Sequence, residues 1–375
     1  MSGQRISVFL PSMAGGGAER SITVIANGLA ARGARVSLVL ATARGPYLDM
    51  VHPAVEVVDL GAPSVLRTLP RLAKHLRASR PVALLAAMSH ANVAAALAHR
   101  LAGSRARLVL SERVHVTSML AEYRSAGMRA TYALMRWTYP WADQIVAVSK
   151  GVADDLRRHV PVARERVVTI YNPVVDGHLL KQAEAAPAHP WLSSKGTPVV
   201  LAAGRLIAQK DFATLIEAFA QLRRGRPARL LILGEGELRE SLLSQAARLG
   251  VSADVDLPGF DSNPFAAMRA AQIFVLSSRF EGLPGVLIQA MACGTRVVST
   301  DCPSGPREVL EDGRWGALVP VGNAESLCAA IAMTLDRPNP ADVRVRAAAF
   351  SEEQAIEGYA RVLGLHSSIP LTAAL

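Results

Sequence analysis

The sequence predicts an α/β protein built from two doubly wound parallel-sheet domains in tandem. Three observations carry that prediction. Short apolar runs alternate with longer amphipathic stretches along the chain, the β-α-β order that calls for a parallel sheet covered on both faces. One stretch rich in Ala, Pro and His, residues 183–190, followed by Ser193-Ser194-Lys195-Gly196, interrupts the alternation near the middle. The chain has 375 residues, half of them apolar, enough for two cores at ~150 residues per domain.

The elements follow in order. Strands are expected at 6–10, 36–41, 55–59, 82–86, 108–111, 144–148 and 167–170, with amphipathic helices such as 18–31 and 64–77 between them. Tyr171-Asn172-Pro173 ends this series. Strands resume at 199–202, 230–233, 255–257, 273–276, 296–299 and 317–319. The expected organisation is an N-terminal domain 1–175, a linker 176–196, a C-terminal domain 197–345, and a closing helix and tail at 346–375 that pack back on the first domain. Right-handed crossovers make each half doubly wound. Ligands of open parallel sheets bind beyond the carboxyl ends of the strands, so the chemistry is sought in the loops after strands, facing a cleft between the domains.

Composition excludes several classes. A chain that is 50% apolar is not intrinsically disordered, and three cysteines (Cys293, Cys302, Cys328) are too few and too clustered for a disulfide scaffold. The apolar run at 6–10 meets Pro11 at once, too short for a secretory core, and no stretch approaches ~18 uncharged apolar residues. The expectation is a cytoplasmic protein, soluble or peripheral on the inner face of the cell membrane. Residues 1–175 hold 22 Lys and Arg against 10 Asp and Glu, whereas residues 176–375 hold 19 against 21. The first half is therefore expected to meet an anionic partner, the alternative being a solvated basic face. Nucleic acid is excluded as partner, since the basic residues are scattered among alanines without interleaved aromatics.

The loops carry the motifs. After the first strand, Gly15-Gly16-Gly17-Ala18-Glu19-Arg20 leads into a helix. Consecutive glycines let backbone approach a phosphate or sugar closely; a bare tight turn is the other reading. A dinucleotide fingerprint fails, because Arg20 stands where the third glycine belongs and 41–43 offers no acid. Gly204-Arg205 through Lys210-Asp211 follows the first strand of the second domain and can grip a diphosphate with a fork and a point charge. Gly234-Glu235-Gly236 and Gly259-Phe260 are glycine-bearing loops whose main chain can meet a base edge. The most informative block runs from Ser277 to Gly294. Glu281 sits in a turn with Gly282 and Leu283, Pro284 starts a helix, and Gln289 lies about two turns along it. The helix amides then suit a phosphate, and Glu281 suits sugar hydroxyls. Pro303-Ser304-Gly305-Pro306 builds a rigid loop after the next strand. No Cys/His cluster has metal-ligand spacing, and Asp254-Val255-Asp256 precedes a strand, at the wrong end of the sheet, so no metal site is expected.

Taken together, these segments, with Val146-Ala147-Val148-Ser149-Lys150-Gly151-Val152, resemble the retaining, nucleotide-sugar-dependent glycosyltransferases of family four, in the large GT-B group. The resemblance spans nearly the whole chain and is strongest at 201–319. It implies two Rossmann-like domains facing across a cleft, and transfer of a hexosyl or N-acetylhexosaminyl unit to a glycan or lipid-linked acceptor of the bacterial surface. The donor is a nucleotide diphosphate sugar, with a UDP-sugar expected from the resemblance. That donor is a substrate, and no cofactor is required.

Residue by residue, Arg205 and Lys210 match the pair on the donor diphosphate. Glu281 matches the acid on the donor sugar, with the amides of Gly282, Leu283, Val286 and Leu287 nearby. Gly15, Gly16 and Gly17 match the acceptor-side loop that closes on the donor, and Gly234, Gly259 and Phe260 sit where the nucleotide would lie. His90, in Met88-Ser89-His90-Ala91-Asn92, matches an active-site histidine near the donor sugar. Gln289 departs from the family, whose second acid holds the ribose; weaker donor affinity or an altered donor follows. The basic, aromatic-tipped stretch 116–141 suits an anionic membrane surface, with an ordinary sheet-covering helix as the alternative. An impaired homologue serving as a partner subunit and a GT-B sugar-nucleotide epimerase are the alternative functions.

Overall fold

The computed structural model describes residues 3–14, 16–62, 64, 66–122, 125–193, 196–337 and 341–365. The chain forms two compact units, Met1–Pro173 joined by Glu352–Leu375, and Val174–Ser351.

The first unit contains β1 (Arg5–Leu10), α1 (Gly17–Ala31), β2 (Arg35–Leu40), β3 (Glu56–Asp59), α2 (Leu69–Ser79), β4 (Ala83–Ala87), α3 (Ser89–Ala102) and β5 (Arg107–Glu112). Then come α4 (Val116–Glu122), α5 (Ala126–Thr138), β6 (Gln144–Ala147), α6 (Lys150–His159) and β7 (Val167–Thr169). Its seven strands run in the order β3-β2-β1-β4-β5-β6-β7, and every pairing is parallel. β4 is buried over its whole length, as expected for a strand with helices on both faces. On α1, Ile22, Ile25, Ala26 and Leu29 are buried at helical spacing and pack into the same core cluster as β1 and β2.

The second unit begins with α7 (Gly177–Ala183) and α8 (Pro190–Ser193). It continues with β8 (Val199–Ala203), α9 (Phe212–Gly225), β9 (Arg229–Leu233), α10 (Arg239–Arg248), β10 (Val255–Gly259), α11 (Pro264–Ala270), β11 (Ile273–Leu276) and α12 (Gly285–Ala292). β12 (Val297–Thr300), α13 (Pro306–Val309), β13 (Ala317–Val319), α14 (Ala324–Asp336) and α15 (Arg344–Ala347) complete it. The sheet order is β10-β9-β8-β11-β12-β13, again parallel throughout. The segment 176–196 thus carries two short helices inside this unit. The Asp176 carboxylate caps α7 by accepting from the Leu179 amide at 2.6 Å, a local signal that outweighs the Ala/Pro composition.

The last helix, α16 (Glu352–Val362), belongs to the first unit and packs on α1. The approach is close: a Cβ on Gly28 would stand 2.1 Å from Ile356 Cδ1, so any larger residue there would have to displace the Ile356 side chain. Tyr359, fully buried, places its hydroxyl 2.9 Å from Ser111 Oγ at the end of β5.

Candidate functional site

In the second unit the strand order reverses between β8 and β11, and the crevice of a doubly wound sheet opens at such a reversal. The loops after these two strands meet there. Lys210 Nζ donates to Glu281 Oε1 at 2.6 Å, with both side chains largely buried. Ser278 Oγ donates to the same carboxylate oxygen at 2.7 Å. Main chain ties the loops together as well. The Arg279 amide reaches the Gln209 carbonyl at 2.8 Å, Gln209 Nε2 the Phe280 carbonyl at 2.9 Å, and Ser277 Oγ the Lys210 carbonyl at 2.7 Å. From the other side the loop after β12 braces the turn: the Glu281 amide donates to the Pro303 carbonyl at 3.2 Å and Ser304 Oγ to the Gly282 carbonyl at 2.8 Å.

Arg205, at the mouth of the same loop, is exposed and has no ion-pair partner among the described residues. The loops after β8, β9 and β10 lie edge to edge. The Gly204 amide donates to the Leu233 carbonyl at 2.9 Å and the Gly234 amide to the Gly259 carbonyl at 2.8 Å. Gly234 has φ +135°, and a Cβ there would fall 2.0 Å from the Gly204 carbonyl oxygen, so this stacking of loops requires glycine. Phe260, just beyond, is 81% exposed. Pro284 precedes α12 as its cap residue, one position earlier than expected, because its ψ of 84° is not helical. Its carbonyl accepts from the Leu287 and Ile288 amides, so those of Gly285 and Val286 are the ones an anion would meet. Leu283 is buried, whereas Gly282, Val286 and Gln289 are half-buried.

The structure therefore gathers Arg205, Lys210, Gly234, Gly259, Glu281, Gly282 and Leu283 on the carboxyl-end loops of one sheet. Gly16, Gly17 and His90 sit on the first unit, after its own adjacent strands β1 and β4; Gly15 lies outside the described residues. Glu19, buried in the first turn of α1, lies against Gly16. His90 is an exposed residue of the first turn of α3. Partial desolvation lowers its pKa from 6.5, which leaves the ring neutral at pH 7. In the stretch 116–141, Tyr132, Met135 and Tyr139 turn inward, and Arg100 stacks on the Trp141 ring at 4.8 Å. Trp137 and Leu134 remain exposed beside the exposed Arg129 and Arg136; Tyr123 and Arg124 lie outside the described residues.

Asp254 is engaged by Arg223 at 2.7 Å and Asp256 by His189 at 2.9 Å. Cys302 is buried, while Cys293 and Cys328 are half-buried. Burial pushes the Cys293 thiol up to about 12.

Sequence reasoning missed Ser278, the second anchor of Glu281, although a serine pair directly after a strand marks it. It also missed a polar cluster in the first unit. Glu112, at the end of β5, has no solvent exposure and accepts from Ser89 Oγ at 2.9 Å, Tyr139 Oη at 2.6 Å and the Arg113 amide at 3.0 Å. An acid at the end of a strand whose middle, residues 108–110, is apolar was the available signal.

Two family models match the chain, the Glycosyltransferase Family 4 model over residues 15–176 and the Glycosyl transferases group 1 model over residues 188–351. The chain is 31% identical over 333 residues, 86% of its length and 88% of the relative's, to the N-acetylgalactosamine-N,N'-diacetylbacillosaminyl-diphospho-undecaprenol 4-alpha-N-acetylgalactosaminyltransferase of Campylobacter jejuni. It is 23% identical over 301 residues to the amylovoran biosynthesis glycosyltransferase AmsD of Erwinia amylovora, covering 79% of this chain and 80% of that one. Among solved structures, Anabaena HepE in complex with UDP and glucose superposes with a TM-score of 0.78 at 23% identity, over 96% of this chain and 99% of HepE.

Proposed function

This chain belongs to the family 4 glycosyltransferases of the GT-B fold, and from that premise we propose that it moves a hexosyl or N-acetylhexosaminyl unit from a UDP-sugar, with retention, to a glycan or lipid-linked acceptor in surface-glycan assembly. The observation that carries the reading is the junction of the β8 and β11 loops, where Lys210 and Glu281 meet, with the exposed Arg205 on the same β8 loop and the first amides of α12 directly after the β11 turn.

The chemistry follows from charge. Arg205, Lys210 and the amides of Gly285 and Val286 take up the negative charge that grows on the leaving diphosphate. No divalent ion is needed where two cations already do so. Glu281, released in part from Lys210 when phosphate arrives, accepts hydrogen bonds from sugar hydroxyls and orients the ring. The bond from the anomeric carbon to the diphosphate oxygen breaks as the acceptor oxygen bonds to the same face. The acceptor's proton passes to the departing phosphate oxygen. The family resemblance assigns His90 to the donor sugar and the glycine loop at 15–17 to the acceptor side of the reaction. Gly234, Gly259 and Phe260 border the base, and Gln289 meets the ribose.

The alignment with the Campylobacter enzyme, whose name specifies a diphospho-undecaprenol acceptor, supports a lipid-linked acceptor here. The outer face of α5, with Trp137 and Leu134 beside Arg129 and Arg136, suits an anionic membrane surface. The test is thermal shift with UDP-glucose, UDP-galactose, UDP-N-acetylglucosamine and UDP-N-acetylgalactosamine. A true donor at 100 times its Kd stabilises the fold by about 2.7 kcal/mol, and Arg205→Ala removes that gain. A panel in which no UDP-sugar raises Tm overturns the donor assignment.

A further inference from the structure

The turn that carries His90 is strained. Met88, which precedes α3, has φ +81° and ψ 135° and gives the helix no side-chain cap. A non-glycine residue in such a region costs on the order of 1–3 kcal/mol and persists only where its surroundings over-determine it.

The end of β5 supplies those surroundings. The Met88 amide donates to the Ser111 carbonyl at 3.2 Å, and Asn92 Nδ2 donates to that same carbonyl at 2.9 Å. The Asn92 amide donates to the Met88 carbonyl at 2.8 Å. A second side-chain anchor is Ser89 Oγ, which donates to Glu112 at 2.9 Å. Glu112 is itself held by Tyr139 Oη, by the Arg113 amide and by a backbone bond from Val114. Tyr132 also bonds Ser89. A fully buried carboxylate is costly to retain, and an apolar residue of similar volume commonly serves stability as well or better. Burial raises the Glu112 pKa, and the hydrogen bonds from its neighbours oppose that rise.

We propose that Glu112 is a positioning residue for the transfer reaction: through Ser89 it clamps the Met88 turn and so fixes where the first turn of α3 presents His90. The inference rests on the assignment of His90 to the reaction made above. Neither Glu112 nor Ser89 needs to touch substrate.

Ser89→Ala is the informative variant, since it removes the clamp and leaves the carboxylate and its other donors in place. Turnover is read as UDP release from whichever of the four UDP-sugars above is used fastest. The state of the turn is read as the NMR titration of the His90 imidazole, which needs no donor. Ser89→Ala is expected to lower kcat about tenfold or more while KM for the donor moves less than about threefold. The His90 pKa rises toward 6.5 as the ring is released. Glu112→Gln is expected to show both effects in weaker form, because the amide oxygen still accepts from Ser89 Oγ but without the strength of a charged acceptor. In a His90→Ala background, adding Ser89→Ala changes kcat by less than about twofold, since both changes act through one side chain.

Unchanged kcat and an unmoved His90 titration in Ser89→Ala overturn the proposal. So does a cost in His90→Ala that multiplies with that of Ser89→Ala. Full turnover in His90→Ala is a different failure: it removes the His90 assignment, and the positioning role falls with it.

Discussion

Two cations of the candidate donor site occupy different electrostatic situations, and substitution separates them. Arg205 is exposed and unpaired among the described residues, so Arg205→Ala leaves Tm nearly unmoved while donor turnover falls roughly 100-fold or more, the scale of one lost stabilising donor. Lys210 is held against Glu281, and Lys210→Ala strands a largely buried carboxylate. Its cost is about 3–5 kcal/mol of stability, visible in a denaturant titration, in addition to the loss of turnover. Gln289 is the third informative residue. A carboxylate accepts more strongly than an amide from ribose hydroxyls, so Gln289→Glu tightens donor binding by roughly 1–2 kcal/mol. Calorimetry with the donor checks it, and unchanged affinity removes Gln289 from the ribose. Arg205, Lys210 and Glu281 were legible because motif order places them after particular strands. Ser278, Ser89 and Glu112 were not, because their roles depend on partners supplied by other segments of the fold.

At the scale of elements, strands were the most legible. Runs such as Ala83–Ala87 and Val199–Ala203 are apolar throughout because helices cover both faces. The helices at 177–183 and 190–193 were hidden by proline and alanine, whose composition says linker while an Asp cap says helix. The stretch 116–141 read as one amphipathic unit, but α5 divides its aromatics. Tyr132, with Tyr139 just beyond the helix, faces inward to the Ser89 and Glu112 cluster, and Trp137, 74% exposed, faces out with Arg129 and Arg136. A basic residue near an anionic surface contributes about 1 kcal/mol. The double substitution Arg129→Glu with Arg136→Glu is therefore expected to weaken co-pelleting with phosphatidylglycerol vesicles roughly 30-fold or more, and added salt to weaken it in the parent protein. Pelleting indifferent to both assigns α5 to packing alone.

Over the whole molecule, charge follows the two units. The unit made of Met1–Pro173 and Glu352–Leu375 carries 23 Lys and Arg against 13 Asp and Glu, whereas Val174–Ser351 carries 18 of each. The entire net charge of +10 thus belongs to the unit on which an anionic acceptor is expected. That unit is also discontinuous. Residues 1–173 alone lack α16, which covers α1 at Gly28 and supplies Tyr359 to Ser111 and Arg113. This fragment is expected to melt without cooperativity by circular dichroism, and joining residue 173 to 352 through a short Gly/Ser linker to restore a sharp transition; a sharp melt without α16 contradicts this. The same division of the chain bears on synthesis. At ~5–20 residues per second, the ribosome needs roughly 10–35 s to translate the intervening unit. Throughout that interval the nascent first unit waits with the groove along α1 open, a natural opportunity for a chaperone.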